Sequence, residues 1–406
     1  MLRPPGFPRR FTGLALASAL LILGSALAGC TSTRPPPRPP AVQQRPPAAT
    51  APVTVMPAPA APEAAAGGKL RVALLLPLSG PPASLGQAML DAAQMALFDI
   101  ADDRLELLVR DSGGSAAVAG TAARSAVADG ARLILGPLLA AEVEAVKPVA
   151  QGAGIGVVAF STATQLAGNG TWLMGFDPRQ EIQRVVLYAH QHGRNRFAAL
   201  APSSPYGDIA VATLRDAVAI AGASVARISR YDPQAINLAP AVQAFATGGA
   251  DFDALLIAEG GAKLKALAPQ LPFEGIDPDQ VKFLGTGLWA EPGLGTEPAL
   301  QGAWFAAPDP ETRADFEKRF KDLYQRPPPL LATLGYDAAA LAAVLARNRD
   351  FSAASLTNPS GFAGLNGIFR LLPDGIVERG LAVLEVHRTG VTVVDPAPQT
   401  FQRATY

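Results

Sequence analysis

Seven residues, Leu70–Leu76, constrain this chain more than any others. They read LRVALLL, apolar except for Arg71. Such a run suits a strand covered on both faces of a parallel sheet. Pro77, Gly80, Pro81 and Pro82 end it, because proline lacks a ladder N–H and glycine favours turns. Beyond the break, Leu85, Ala88, Met89, Ala92, Ala93, Ala96 and Leu97 return at helical spacing. Strand, turn and helix in that order open a βαβ unit. The turn leaves Ser79 and the free N–H groups of the helix at the carboxyl edge of the sheet, where open α/β sheets take their ligands.

The alternation continues. Strands are predicted at residues 105–110, 132–135, 156–160 and 172–176, with helices at 115–128 and at 140–151, the latter broken near Pro148. A second series follows, with helices at 181–192, 208–220, 238–246 and 262–268 and strands at 197–201, 225–231, 254–258 and 281–285. Strands alternating with helices indicate parallel sheets. Two runs of four or five strands predict two lobes of one architecture. Helices at 311–325 and 331–346 come next, separated by Pro327, Pro328 and Pro329. From residue 367 short strands lie around Pro373-Asp374-Gly375 and Thr389-Gly390, the pattern of a closing hairpin segment.

The first residues are read as a targeting segment and left out of the fold. Arg3, Arg9 and Arg10 precede an apolar stretch at residues 11–27, and Leu27-Ala28-Gly29-Cys30 closes it. The order resembles a bacterial lipoprotein signal peptide with its lipobox. That resemblance implies cleavage after residue 29 and a covalent lipid on Cys30; an ordinary secretory peptide is the alternative. Thr31 follows the cysteine where an aspartate is absent, which in Gram-negative lipoproteins implies sorting to the outer membrane, facing the periplasm. Several acyl chains hold a protein firmly, at about 0.8 kcal/mol per buried CH₂. Cys30 is the only cysteine, so no internal disulfide, zinc cluster or thiol catalyst is expected. Residues 30–68 form a proline-rich disordered stalk. In polyproline II form, at about 3.1 Å per residue, it spans on the order of 100 Å. The alternative is filler without a role. The 34 basic and 34 acidic side chains of the 406 residues balance, which argues against a nucleic-acid partner.

Several short motifs, taken together in order, resemble type I periplasmic binding proteins of the leucine and amino-acid branch. They are Leu74-Leu75-Leu76-Pro77-Leu78-Ser79-Gly80 with Gly86, Leu135-Gly136-Pro137, Phe160-Ser161-Thr162, Pro205-Tyr206-Gly207 and Gly335-Tyr336-Asp337-Ala338. The resemblance covers residues 69–387. It implies an α/β fold of two lobes, each a mostly parallel sheet flanked by helices, joined by hinge crossovers around a ligand cleft. The first lobe is predicted from residues 69–176 with about 306–345. The second is predicted from residues 177–305 with about 346–406, the first crossover falling at Asp177-Pro178. Lipobox, stalk and first motif together are similar to the penicillin-binding protein activator lipoproteins. That similarity implies a non-enzymatic regulator whose partner is a bifunctional peptidoglycan synthase. The chain departs from the best-known members in having no helical-repeat domain ahead of this module. The alternative is a lipid-anchored solute-binding protein delivering amino acids to an ABC transporter.

If the binding-protein resemblance carries over, Ser79, Ser161, Thr162 and Tyr206 line the cleft. Ser161, Thr162 and nearby N–H groups would hold a carboxylate, and Tyr206 would close over the ligand. Ser and Thr at these points serve equally as helix caps. Glu259, at a strand end beside Gly260 and Gly261, would meet a ligand ammonium; a solvated loop carboxylate is the alternative. No catalytic residue, metal ligand or cofactor other than the lipid is expected. Gly152-Ala153-Gly154-Ile155-Gly156 precedes a strand, whereas a dinucleotide fingerprint follows one. His190 and His192, two apart on a helix, point to different faces, and His387 is the only other histidine. Neither a nucleophile elbow nor a phosphate loop occurs.

Overall fold

A computed structural model describes residues 68–101 and 103–401. The predicted signal peptide, Cys30, Thr31 and nearly all of the predicted stalk lie outside the described residues.

The first lobe begins with β1 (Leu70–Leu76), α1 (Ala83–Ile100), β2 (Leu105–Asp111), α2 (Ala116–Ala128), β3 (Leu133–Leu135), α3 (Ala140–Ala153), β4 (Gly156–Ala159) and β5 (Thr171–Leu173). Its sheet runs β2-β1-β3-β4-β5, parallel throughout. β1 sits inside the sheet, and every residue from Val72 to Leu76 is 0% exposed. That is the environment its two-sided apolar run requires. α3 continues through Pro148, contrary to the predicted break. Proline removes one helical hydrogen bond, but Val143, Val146 and Ala150 on either side of it are buried in one cluster with β3 and β4.

The second lobe contains α4 (Pro178–Gln191), β6 (Arg196–Pro202), α5 (Pro205–Ala221), β7 (Ser224–Tyr231), α6 (Ala239–Ala246), β8 (Ala254–Ile257), α7 (Gly261–Leu267), α8 (Gln270–Phe273), β9 (Lys282–Gly285) and β10 (Trp304–Ala307). The chain then forms α9 (Ala314–Tyr324), α10 (Ala332–Arg347), α11 (Ala353–Leu356), β11 (Phe362–Gly364), β12 (Gly367–Leu371), β13 (Val377–Arg379), β14 (Ala382–His387) and β15 (Gly390–Asp395). The second sheet runs β15-β14-β10-β9-β8-β6-β7. Its strands are parallel from β10 to β7, and β14 and β15 are antiparallel additions.

Two sequence expectations need correction here. β10 was not expected, and its Phe305 and Ala306 are fully buried. The residues after 345 do not all join the second lobe. Leu356, Phe369, Leu371 and Val377 pack in one cluster with Leu74, Val158 and Trp172 of the first lobe. The Trp172 indole donates to the Leu372 carbonyl at 3.1 Å, and Leu173 N–H donates to Gly375 O at 2.8 Å. The small antiparallel sheet β11-β12-β13 is therefore built onto the first lobe, and only β14 and β15 return to the second.

α1 and α10 pack closely in the first lobe. A Cβ on Gly335 of α10 would lie 2.2 Å from the Met89 carbonyl of α1, so only glycine permits this approach. Three segments join the lobes: residues 174–177, 308–313 and 380–381. The first leaves the carboxyl end of β5 and the second leaves the carboxyl end of β10. The carboxyl edges of both sheets therefore lie toward the hinge.

Candidate functional site

On the first lobe, the loop after β1 is held by Asp111 at the end of β2. Its Oδ1 accepts from Leu78 N–H (2.8 Å), Ser79 N–H (3.3 Å) and Gly113 N–H (2.8 Å). Burial would raise the Asp111 carboxyl, but the Ser79 hydroxyl and these backbone donors outweigh it and hold it below its ordinary range. Ser79 is exposed at the sheet edge. Ser161 is buried, and its Oγ accepts from Ala163 N–H at 3.2 Å, a local turn bond of the capping kind. Thr162 is exposed beside it.

On the second lobe, Pro205-Tyr206-Gly207 is not a free turn. It is the first turn of α5, with Pro205 at its start and the Ser204 hydroxyl accepting from Gly207 N–H at 3.3 Å. Tyr206 is thereby fixed on a helix. Its hydroxyl lies 2.8 Å from Thr286 Oγ1, and burial raises its pKa. Glu259 follows β8 and is half-buried. Its carboxylate accepts from the Tyr231 hydroxyl and from Gly260 N–H (3.2 Å), and its carbonyl accepts from the Trp289 indole (2.9 Å). No cationic side chain among the described residues pairs with it; the nearby Lys263 donates instead to the Pro233 carbonyl.

The structure gathers Tyr206 and Glu259 on one lobe and Ser79, Ser161 and Thr162 on the other. Among the described residues no hydrogen bond or ion pair joins the two sets. Polar contacts between the lobes lie at the hinge. Gln180 of α4 donates to Val377 O (2.5 Å) and accepts from Arg379 N–H (3.0 Å). The Arg379 side chain, 7% exposed, donates through Nη2 to Met174 O at 2.5 Å. Among the described residues its Nε and Nη1 have no hydrogen-bond partner. The guanidinium lies 4.9 Å from the Phe176 ring centroid and 5.4 Å from that of Phe369, within cation–π range. Burial lowers it to about 10, opposed by the carboxylates of Asp337 and Glu181. Asp337, buried on α10, accepts from Leu365 N–H (2.6 Å) and Asn366 Nδ2 (3.1 Å). Burial pushes Glu181 up to about 7; the Gly287 N–H bond (2.8 Å) opposes this, Asp177 adds to it and Arg379 opposes it.

Sequence reasoning missed Tyr231, Thr286, Trp289, Glu181 and Arg379. Tyr231, like Glu259, closes a predicted strand just before a turn, and that position was the available signal. Arg379 offered none, because Met174, Phe176 and Glu181, which surround it, come from a segment about 200 residues away, and Asp337 comes from a separate helix. A separate hollow of about 450 Å³, lined by Arg110, Asp111, Val118 and Thr121, lies beside α2 and shares only Asp111 with the crevice loops.

Solved structures share this architecture. One is a putative branched-chain amino acid ABC transporter protein from Rhodospirillum rubrum, 19% identical, with a TM-score of 0.70 over 80% of this chain and 100% of that one. Another is an ABC transporter substrate-binding protein from Sphaerobacter thermophilus, 21% identical, with a TM-score of 0.69 over 82% of this chain and 98% of that one. A third is the branched-chain amino acid transporter substrate-binding protein from Streptococcus pneumoniae in complex with isoleucine, 17% identical, with a TM-score of 0.59 over 81% of this chain and 100% of that one. At these identities the likeness is one of fold. An uncharacterized protein of Rickettsia prowazekii is 24% identical over 173 residues, 42% of this chain and 46% of that protein. The chain thus spans about half the length of the curated relative it matches. Residues 69–390 match the family model described as periplasmic binding protein, and the chain belongs to that family.

Proposed function

We propose that the crevice binds a small amine-bearing solute, most simply a free amino acid, and that the module is non-enzymatic. One observation carries this reading: Glu259 is a half-buried, oriented carboxylate that lacks a cation of its own among the described residues. A charge in that position gains from a cationic ligand. Ser161 and Thr162 on the opposing lobe, with the loop N–H groups, suit the ligand carboxylate. A thermal-shift screen across the common amino acids tests it. A ligand at 100 times its Kd adds about 2.7 kcal/mol of stability. The reading predicts a clear rise with at least one amino acid, and a flat response to all of them rejects it.

The sequence supports a second reading of the whole protein. Lipidated at Cys30 and carried by the proline-rich stalk, the module would sit at the outer membrane, facing the periplasm, as an activator of a bifunctional penicillin-binding protein. What favours it is the lipobox together with a spacer able to cross on the order of 100 Å. The check is a pull-down and glycan-polymerisation assay with the cognate synthase, in which neither capture nor stimulation removes this reading. Metabolic labelling with a fatty acid tests the anchor, with Cys30→Ala expected to abolish incorporation.

A further inference from the structure

We propose that Tyr231 is the positioning residue that makes the crevice select for a protonated amine, an inference that rests on the amine-binding reading of Glu259. Tyr231 ends β7, which is separated from β8 by β6. Its phenol therefore reaches past the end of β6 to the Glu259 carboxylate. The reach is braced, since Ser203 N–H, just after β6, donates to Tyr231 O at 2.7 Å and the tyrosine is only 4% exposed. The Glu259 main chain is pinned separately through the Trp289 indole. Trp289 is fully buried over Gly285, where a Cβ would come within 2.1 Å of the indole.

The chemical choice matters. An arginine or lysine in place of the phenol would orient the carboxylate and also neutralise it. A tyrosine hydroxyl, with the Gly260 N–H on the other oxygen, orients it with neutral donors and leaves the full negative charge for the ligand. Glutamate has several rotatable bonds, and fixing them before binding removes an ordering cost from the association step. The site is thus preorganised for a compact ammonium rather than for a neutral or anionic group.

The test uses the full chain, calorimetric titration with the amino acid giving the largest thermal shift, and its des-amino carboxylic acid as the second probe. Wild type should prefer the amino acid by at least about 100-fold. Tyr231→Phe keeps the ring and removes the hydroxyl. It should weaken the amino acid about tenfold and leave the des-amino acid unchanged, so that the ratio falls. Equal weakening of both probes assigns Tyr231 a merely structural role and overturns the proposal, as does an unchanged ratio. Should Y231F fail to fold, Glu259→Asp withdraws the carboxylate from the phenol by one methylene and must lower the same ratio. If wild type binds no amino acid, the amine reading fails and takes this proposal with it. If wild type binds and Y231F leaves selectivity intact, only the proposal fails.

Discussion

Glu181 and Glu259 belong to the same lobe and have opposite surroundings. Glu181, at the hinge, is 6% exposed and keeps one backbone donor, Gly287 N–H. Asp337 and Arg379 share its dry environment, and two of the guanidinium nitrogens, Nε and Nη1, have no hydrogen-bond partner among the described residues. Glu259, in the crevice, remains partly wet and is met by the Tyr231 hydroxyl and Gly260 N–H. The difference is one of solvent. At the hinge the charges depend on one another because water has been removed. In the crevice neutral donors orient a charge that water still supports. The first arrangement bears on stability and lobe geometry, the second, on the proposed reading, on ligand capture.

The sharpest way to break this comparison is Arg379→Met. It keeps an apolar stem between Phe176 and Phe369 but leaves Asp337 and Glu181 without the cation that faces both. A loss of about 4 kcal/mol in urea unfolding is expected; a variant as stable as wild type means the hinge charges are not coupled. Next comes pH. Folding raises Glu181 from its ordinary 4.5 to about 7, so the folded state holds this proton more tightly than the unfolded one. Its contribution is fully present below about pH 4.5 and is lost as pH rises through 7, by up to on the order of 3 kcal/mol. In Glu181→Gln that decline should flatten, and an identical pH profile in the two proteins refutes the assignment.

Tyr206→Phe removes the bond to Thr286 and should cost about 1 kcal/mol. A cost as large as that of R379M would place Tyr206 with the hinge rather than with the crevice. The smallest effect belongs to Glu259→Gln. It retains one acceptor oxygen for the Tyr231 hydroxyl and should shift unfolding by about 0.5 kcal/mol or less while abolishing amino-acid binding. A large destabilisation there would erase the contrast with Glu181.

Much of the architecture was legible along the chain. The LRVALLL run of β1 could only be covered on both sides, and the helical spacing after it placed α1. β10 escaped notice because Trp304–Ala307 is four apolar residues between turns and Pro308, with no alternation of its own. It is a strand because β9 and β14 pair with it on either side. The assignment of residues after 345 to the second lobe failed for a related reason. Short β segments carry no record of which core their apolar face will meet, and Phe369 and Leu371 met the first. Of the crevice residues, Tyr206 was reached through motif resemblance and Glu259 through its place at a strand end beside two glycines, whereas Tyr231 and Thr286 were passed over although Tyr231 holds the same kind of position.

The sequence by itself determined the local elements and their alternation, since backbone preference and apolar periodicity act over a few residues. The tertiary structure alone decided which charges lost their water. Arg379, Asp337 and Glu181 come from three distant segments, and their energetics exist only once the two lobes and their crossovers exclude solvent around them.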